Sequence, residues 1–211
     1  MLQKLFFLLF VKSFMAIFIG LRVYGKHNLP KTHPFIIVAN HSSHLDTLSL
    51  LNIFPLKDLH RIQPVAAADY FNRNRFISFL THKLFNILTI PRSGINKENN
   101  PVKLMKNALE EGKSLIIYPE GTRSLTGEIG RFRPGIAHLI KEIPGIKVVP
   151  VFLANMGRSL PKGEYLPIPF FCEIVIGEPL SLQGDKAAIT QALENAVKEL
   201  KHNYEKYYFQ D

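Results

Sequence analysis

Apolar positions fall into two kinds of run along this chain, one long and nearly unbroken at the N-terminus and the others short and repeated. Residues 2–21 are mostly Leu, Phe, Ile, Met and Val, interrupted by Lys4, Lys12 and Ser13 and closed by Arg22. A helix that spans a bilayer needs about 20 apolar residues with few charges, and this run falls short. A secretory signal would end in small residues at a cleavage site, whereas Gly20 is followed by Leu21 and then Arg22-Val23-Tyr24-Gly25. The run predicts a helix that lies in or dips into one leaflet, with Phe and Leu among acyl chains and Lys4, Lys12 and Arg22 near phosphates. A helix packed on the protein's own core is the alternative.

After Pro34 the pattern changes to short β-rich runs separated by helical stretches, the signature of an α/β domain. Strands are predicted over residues 35–39, 64–68, 86–90, 114–118, 147–153 and 172–176. The best-marked helix starts at Asn100-Pro101, where Asn can cap and Pro fits the first turn; Val102, Met105, Ala108 and Leu109 share one face, and Gly112 ends it. Further helices are predicted over 45–53, 75–84, 135–143 and 186–207. Residues 155–169 hold Gly157, Pro161, Gly163, Pro167 and Pro169 and read as a loop. The fold class is therefore α/β: a single domain with a mixed central sheet flanked by helices. The divisions are an N-terminal apolar helix at 1–24 and the folded domain at 25–211.

With 46% hydrophobic and 20% charged residues the chain has the composition of a folded globular protein. Its formal charge of +9 attracts anions: nucleic acid, anionic lipid surfaces or phosphorylated substrates. No zinc finger, aromatic RNA-binding strand or dense Lys/Arg run is present, which argues against nucleic acid. The one cysteine, Cys172, permits no internal disulfide and reads as a small core residue.

Two polar turns follow predicted strands, where α/β proteins gather functional groups. The first is Asn40-His41-Ser42-Ser43-His44-Leu45-Asp46. Histidine can take a proton from an alcohol near neutral pH, and Asp46, across a turn, could hold the ring in one tautomer. Three other readings use the same residues. Ser42 or Ser43 as nucleophile lacks a Gly-x-Ser-x-Gly elbow. His41, His44 and Asp46 as metal ligands lack a further ligand nearby. A plain helix-capping turn is physically sound. The second turn is Tyr118-Pro119-Glu120-Gly121-Thr122-Arg123-Ser124, where Gly121 admits close backbone approach and Arg123 offers a planar fork of donors to a phosphate. An ordinary polar turn with a surface Glu-Arg pair is the bland reading.

Asn40-His41 followed by Asp46 resembles the His-x4-Asp signature of the glycerolipid acyltransferase family, and 118–124 resembles its Phe-Pro-Glu-Gly-Thr-Arg-Ser motif with Tyr118 in place of Phe. Ile90-Pro91-Arg92 is similar to a further motif, without the Gly and Phe often seen before it. Val148-Val149-Pro150-Val151 is similar to a fourth, with Pro150 as a structural residue. The blocks cover residues 40 to 151 in the family's order. The resemblance implies His41 as general base with Asp46 its partner, and Glu120, Gly121, Thr122, Arg123 and Arg92 as substrate-binding residues. Arg131 and Arg133, with Phe132 between them, are two more cations close by.

The reaction the resemblance implies is acyl transfer, without cofactor or metal, from acyl-CoA or acyl carrier protein to the free hydroxyl of 1-acyl-glycerol-3-phosphate, giving phosphatidic acid. Another lysophospholipid or a lyso-aminolipid is the alternative acceptor, since the run Ala66-Ala67-Ala68-Asp69-Tyr70-Phe71 is similar to bacterial members whose acceptors vary. The expected location is peripheral or monotopic on an anionic membrane surface, at the cytoplasmic face of the inner membrane. A metallohydrolase and a non-catalytic lipid-binding module remain as competing classes.

Overall fold

The apolar runs after Pro34 become strands, and helices cover both faces of the sheet they form. The structure, a computed structural model, describes residues 2–68, 82–164 and 166–208. Among these, the strands are β1 (Arg22–Tyr24), β2 (Ile36–Ala39), β3 (Ile62–Ala67), β4 (Leu88–Ile90), β5 (Ser114–Ile117), β6 (Val148–Ala154) and β7 (Glu173–Ile176). They form one sheet in the order β1-β7-β6-β2-β5-β3-β4. Only the β6–β7 pairing is antiparallel, so the sheet is mixed and the five strands from β6 to β4 run the same way. That arrangement brings the C-terminal ends of β2, β5, β4 and β6 to one edge of the domain.

Helices α1 (Leu2–Ile19), α2 (Leu45–Asn52), α3 (Pro101–Glu110), α4 (Gly135–Glu142), α5 (Met156–Ser159) and α6 (Lys186–Tyr208) divide between the faces. Strand side chains alternate in direction. Ile37, Ala39, Ile116, Val149 and Val151 accordingly join the core with residues of α1, α2 and α5. Ile36, Val38, Leu115, Ile117 and Val148 join a second core with α3, α4 and α6. A strand covered on both sides has no reason to alternate polar and apolar residues, which is why β2, β5 and β6 are buried throughout. Asn100 caps α3 as the sequence predicts, its side chain accepting from the Val102 and Lys103 N–H groups.

Helix α1 is half committed to this core. Phe7, Val11, Met15 and Ile19 are buried at a spacing of four residues. On a regular α-helix that spacing drifts by roughly 40° per step. The turns over Phe7–Val11 and Met15–Ile19 widen to i→i+5 bonding, which counters the drift and keeps the four on one stripe. The stripe meets Phe85 edge-on through Phe7 and the hydroxyl of Ser49 through Met15. The core-packing reading thus holds for one face of this segment, while Leu9, Phe10 and Ile17 on the other side are exposed.

The structure corrects two expectations. The N-terminal helix does not reach residue 24: Gly20, at φ 59°, ends it, and Arg22–Tyr24 pairs in parallel with β7 as an edge strand. The 155–169 segment is not all loop, since it opens with α5. The helix expected at 75–84 falls outside the described residues up to position 81, as does the Asp69-Tyr70-Phe71 part of the run beginning at Ala66.

Candidate active site

β2 and β5 are parallel neighbours with Val38 beside Ile117, so the turns that follow them leave the sheet side by side. Asn40 fixes the departure of the first. Its side-chain amide donates to Leu153 O at 3.0 Å and its carbonyl accepts from Leu153 N at 2.7 Å, tying the end of β2 to β6. Ser43 secures the other end of the turn, its hydroxyl donating to Leu160 O at 2.7 Å and accepting from Leu45 N at 3.1 Å. The chain then enters α2 with Asp46 in its first turn, where the helix dipole favours a negative charge.

His41 and Asp46 meet at 2.7 Å through Nδ1 and Oδ2. The same Oδ2 accepts from Ser42 N at 2.7 Å and Ser43 N at 2.9 Å. A carboxylate oxygen only accepts, so in the neutral ring the proton sits on Nδ1 and the lone pair on Nε2. Asp46 is fully buried, while the His41 side chain retains 19% of its surface, enough for a substrate to reach the ring. Tyr118 stacks on that ring with centroids 4.1 Å apart and planes 14° from parallel. The Tyr118 hydroxyl shares a 3.0 Å hydrogen bond with Thr47 Oγ1, so the ring is bolted to α2 as well as β5. Burial pushes the phenol well above its ordinary pKa, with the Asp46 charge adding to the effect. Neither Tyr118 nor Thr47 was marked by the sequence as a site residue; Tyr118 stood out only as a departure from the motif.

The second turn is locked to the first. Ser124 N donates to His41 O at 2.8 Å. Glu120, expected among the substrate-binding residues, instead turns inward: its Oε1 accepts from His41 N at 2.9 Å and its Oε2 from Gly130 N at 3.1 Å. Burial pushes its carboxyl above the ordinary value, opposed by those two backbone donors. A buried carboxylate that accepts from these two backbone N–H groups holds the His41 backbone in place. Replacing it tests this. In Glu120→Gln the amide NH2 must confront one of the two N–H donors, so unfolding free energy measured in denaturant should fall by about 1–3 kcal/mol. An unchanged midpoint and slope would show that neither bond matters.

Gly121 has φ 72°, and a Cβ there would lie 2.9 Å from the Arg133 guanidinium, so a side chain would be strained and would push Arg133 aside. Arg92, arriving from the end of β4, donates to Gly121 O at 2.6 Å. Arg92 and Arg133 therefore bracket the glycine, and Thr122 is exposed beside it. Arg123 Nη1 is buried without a hydrogen-bond partner, while the Arg123 carbonyl accepts from Lys162. The sequence-predicted residues Gly121, Thr122 and Arg123 thus share one turn, against which Arg92 and Arg133, one of the two further cations read close by, are set.

His44 follows on the same turn, at the N-terminal end of α2. Its pKa is lowered to about 4, chiefly by burial and then by the charges of Arg123 and His41. His41 Nδ1 and Asp46 Oδ2 are engaged with each other, and among the described residues no three His, Cys, Asp or Glu side chains converge as a metal site.

A histidine hydrogen-bonded to a buried aspartate, next to a turn that carries arginines at the strand ends of an α/β sheet, has the chemistry to take a proton from a hydroxyl beside an anionic group. The chain belongs to the acyltransferase family, which it matches over residues 20–154. It is 32% identical over 195 residues to the 1-acyl-sn-glycerol-3-phosphate acyltransferase of Bacillus subtilis (strain 168), covering 87% of this chain and 89% of that protein. The 1-acyl-sn-glycerol-3-phosphate acyltransferase alpha of Mus musculus is 25% identical over 185 residues, and the match spans 61% of its length. In fold the chain resembles the crystal structure of the 1-acyl-sn-glycerophosphate acyltransferase of Thermotoga maritima, with a TM-score of 0.70 at 21% identity over 93% of this chain and 79% of that one.

Proposed function

We propose that this protein transfers a fatty acyl group from a thioester, acyl-CoA or acyl carrier protein, to the free hydroxyl of 1-acyl-glycerol-3-phosphate, forming phosphatidic acid. The observation that carries the proposal is the 2.7 Å His41–Asp46 pair, which leaves Nε2 free to act as base. His41 Nε2 takes the hydroxyl proton as the acceptor oxygen attacks the thioester carbon. The tetrahedral intermediate collapses, the C–S bond breaks, and the imidazolium returns the proton to the departing thiolate. No covalent enzyme intermediate is required. Arg123, supported by Arg92 and Arg133 around the same turn, holds the acceptor phosphate and so orients the hydroxyl. The relatives named for 1-acyl-sn-glycerol-3-phosphate favour this acceptor over another lysophospholipid or a lyso-aminolipid. The reaction takes place on a membrane, to which α1 attaches by its exposed apolar face, and on the cytoplasmic side, where both donors are found.

The test is acyl transfer from labelled acyl-CoA, and separately from acyl carrier protein, to lysophosphatidic acid in vesicles, with monoacylglycerol as the acceptor without a phosphate. Labelled phosphatidic acid is expected from at least one donor, with or without chelator. Efficient acylation of monoacylglycerol with none of lysophosphatidic acid would overturn the acceptor. In Arg123→Ala, loss of charge-assisted hydrogen bonds worth about 1.5–3 kcal/mol should raise the acceptor KM by roughly ten- to a hundredfold. The donor KM is expected to stay the same, and an equal rise in both would remove Arg123 from the phosphate.

A further inference from the structure

Single exposed apolar side chains are ordinary on a protein surface, but a contiguous group of large ones marks a surface that meets something. Such a group lies outside α1. Leu166, Ile168, Phe170 and Phe171 are 84%, 60%, 40% and 63% exposed, all within one segment between α5 and β7. The segment is held in place. Ile168 N donates to Ser159 O at 2.7 Å, Ser159 Oγ donates to Ile168 O at 2.7 Å, and Asn155 donates to Phe171 O at 3.3 Å.

Two contacts say what covers it. The Phe171 ring sits against Gly20, where a Cβ would come within 2.7 Å of it, so the segment continues the exposed face of α1 where Ile17 is 86% and Phe18 40% exposed. Cations lie over the outer rings: Arg22 is 5.2 Å from the Phe171 centroid and Arg158 5.8 Å from that of Phe170. Apolar side chains bordered by guanidinium groups on a chain of net charge +9 match the acyl region of a leaflet below its anionic headgroups.

We propose that residues 166–171 are a second membrane-inserting element, which together with α1 seats the strand-end edge of the domain on an anionic leaflet. The proposal rests on the reading that the enzyme works at a membrane. It also gives that reading an orientation. The segment is joined to the catalytic turn through Ser43 and Leu160, and Gly157 of α5 lies against Ser42, 3.2 Å from its Cβ if a Cβ were added. Inserting the segment therefore fixes the catalytic turn relative to the bilayer, and a lipid acceptor reaches His41 by lateral movement with its phosphate near the headgroup plane.

The chain contains no tryptophan, so Leu166→Trp introduces a single reporter. On addition of vesicles of phosphatidylglycerol and phosphatidylcholine its emission should shift to the blue and be quenched by lipids brominated on the acyl chains. Leu166→Ser/Ile168→Ser should lower partition into the same vesicles at least ~10-fold, because two large apolar groups no longer leave water, while thermal unfolding stays as in the wild type. If the full chain binds vesicles but the reporter neither shifts nor is quenched, the segment is not inserted and this proposal alone fails. No binding to any vesicle defeats the membrane reading itself. A blue shift without vesicles that grows with protein concentration means that a second copy covers the patch, which also overturns the proposal.

Discussion

In His41→Ala, acyl transfer to lysophosphatidic acid is expected to fall by ~10²–10⁴ in kcat, the range that a positioned general base supplies. The loss should appear in kcat with the acceptor KM little changed, because the cation assigned to the phosphate, Arg123, sits on a different turn. The scaffold should survive. Asn40 and Ser43 hold the turn through Leu153 and Leu160, and neither contact uses the imidazole. The backbone N–H of residue 41, which Glu120 accepts, is also present in alanine. What the fold loses is the stack on Tyr118, worth about 0.5–1.5 kcal/mol, and the Nδ1 hydrogen bond to Asp46, whose Oδ2 keeps its two backbone donors, so a modest drop in thermal stability should accompany a large drop in rate. Stopped-flow or steady-state kinetics beside calorimetry separates the two. Full activity in this variant would exclude His41 as the base and move attention to the hydroxyls of Ser42 and Ser43.

The strands that build the site were legible because they are buried on both faces. Continuous apolar runs such as Phe35-Ile36-Ile37-Val38-Ala39 and Leu115-Ile116-Ile117 have one structural explanation, and each is followed at once by its polar turn. β1 escaped notice for the opposite reason. It is three residues long, at the sheet edge, with Arg22 and Tyr24 exposed, and it exists because β7 offers it a partner 150 residues further on. Gly20 is a local sign that the helix stops, but nothing within Arg22-Val23-Tyr24 itself marks a strand.

The same division between local and long-range causes runs through the site. The His41–Asp46 pairing spans five residues and one turn, so sequence spacing suffices to suggest it. The inward orientation of Glu120 does not follow from its own turn. It requires Gly130 to come back across the strand ends, a loop whose far side is held where Phe132 N donates to Glu194 of α6 at 2.8 Å. A glutamate beside an arginine in a glycine-containing turn looks like part of a ligand cradle until that loop is folded. Arg133 is the complementary case, a basic residue with no motif of its own that the returning loop sets against Gly121. The stack of Tyr118 on His41 likewise depends on β2 and β5 being neighbours, which no stretch of sequence states.

Asp46→Asn is expected to lower kcat by a factor comparable to that of His41→Ala, ~10²–10⁴, although it leaves the imidazole in place. An asparagine can turn its carbonyl toward Ser42 N, Ser43 N and His41 Nδ1 and preserve much of the turn, but the negative charge that supports an imidazolium is gone. If the amide nitrogen faces them instead, three donors meet a fourth and His41 loses the tautomer that leaves Nε2 free. Both outcomes reduce proton transfer. The first costs less stability than the second, and unfolding in denaturant should register a loss of about 1–3 kcal/mol. The decisive comparison is the double variant. Two residues that act as one base lose their function together, so His41→Ala/Asp46→Asn should be no slower than His41→Ala alone. If the two losses multiply instead, Asp46 contributes to catalysis by a route that does not pass through His41, and the 2.7 Å contact between them is structural.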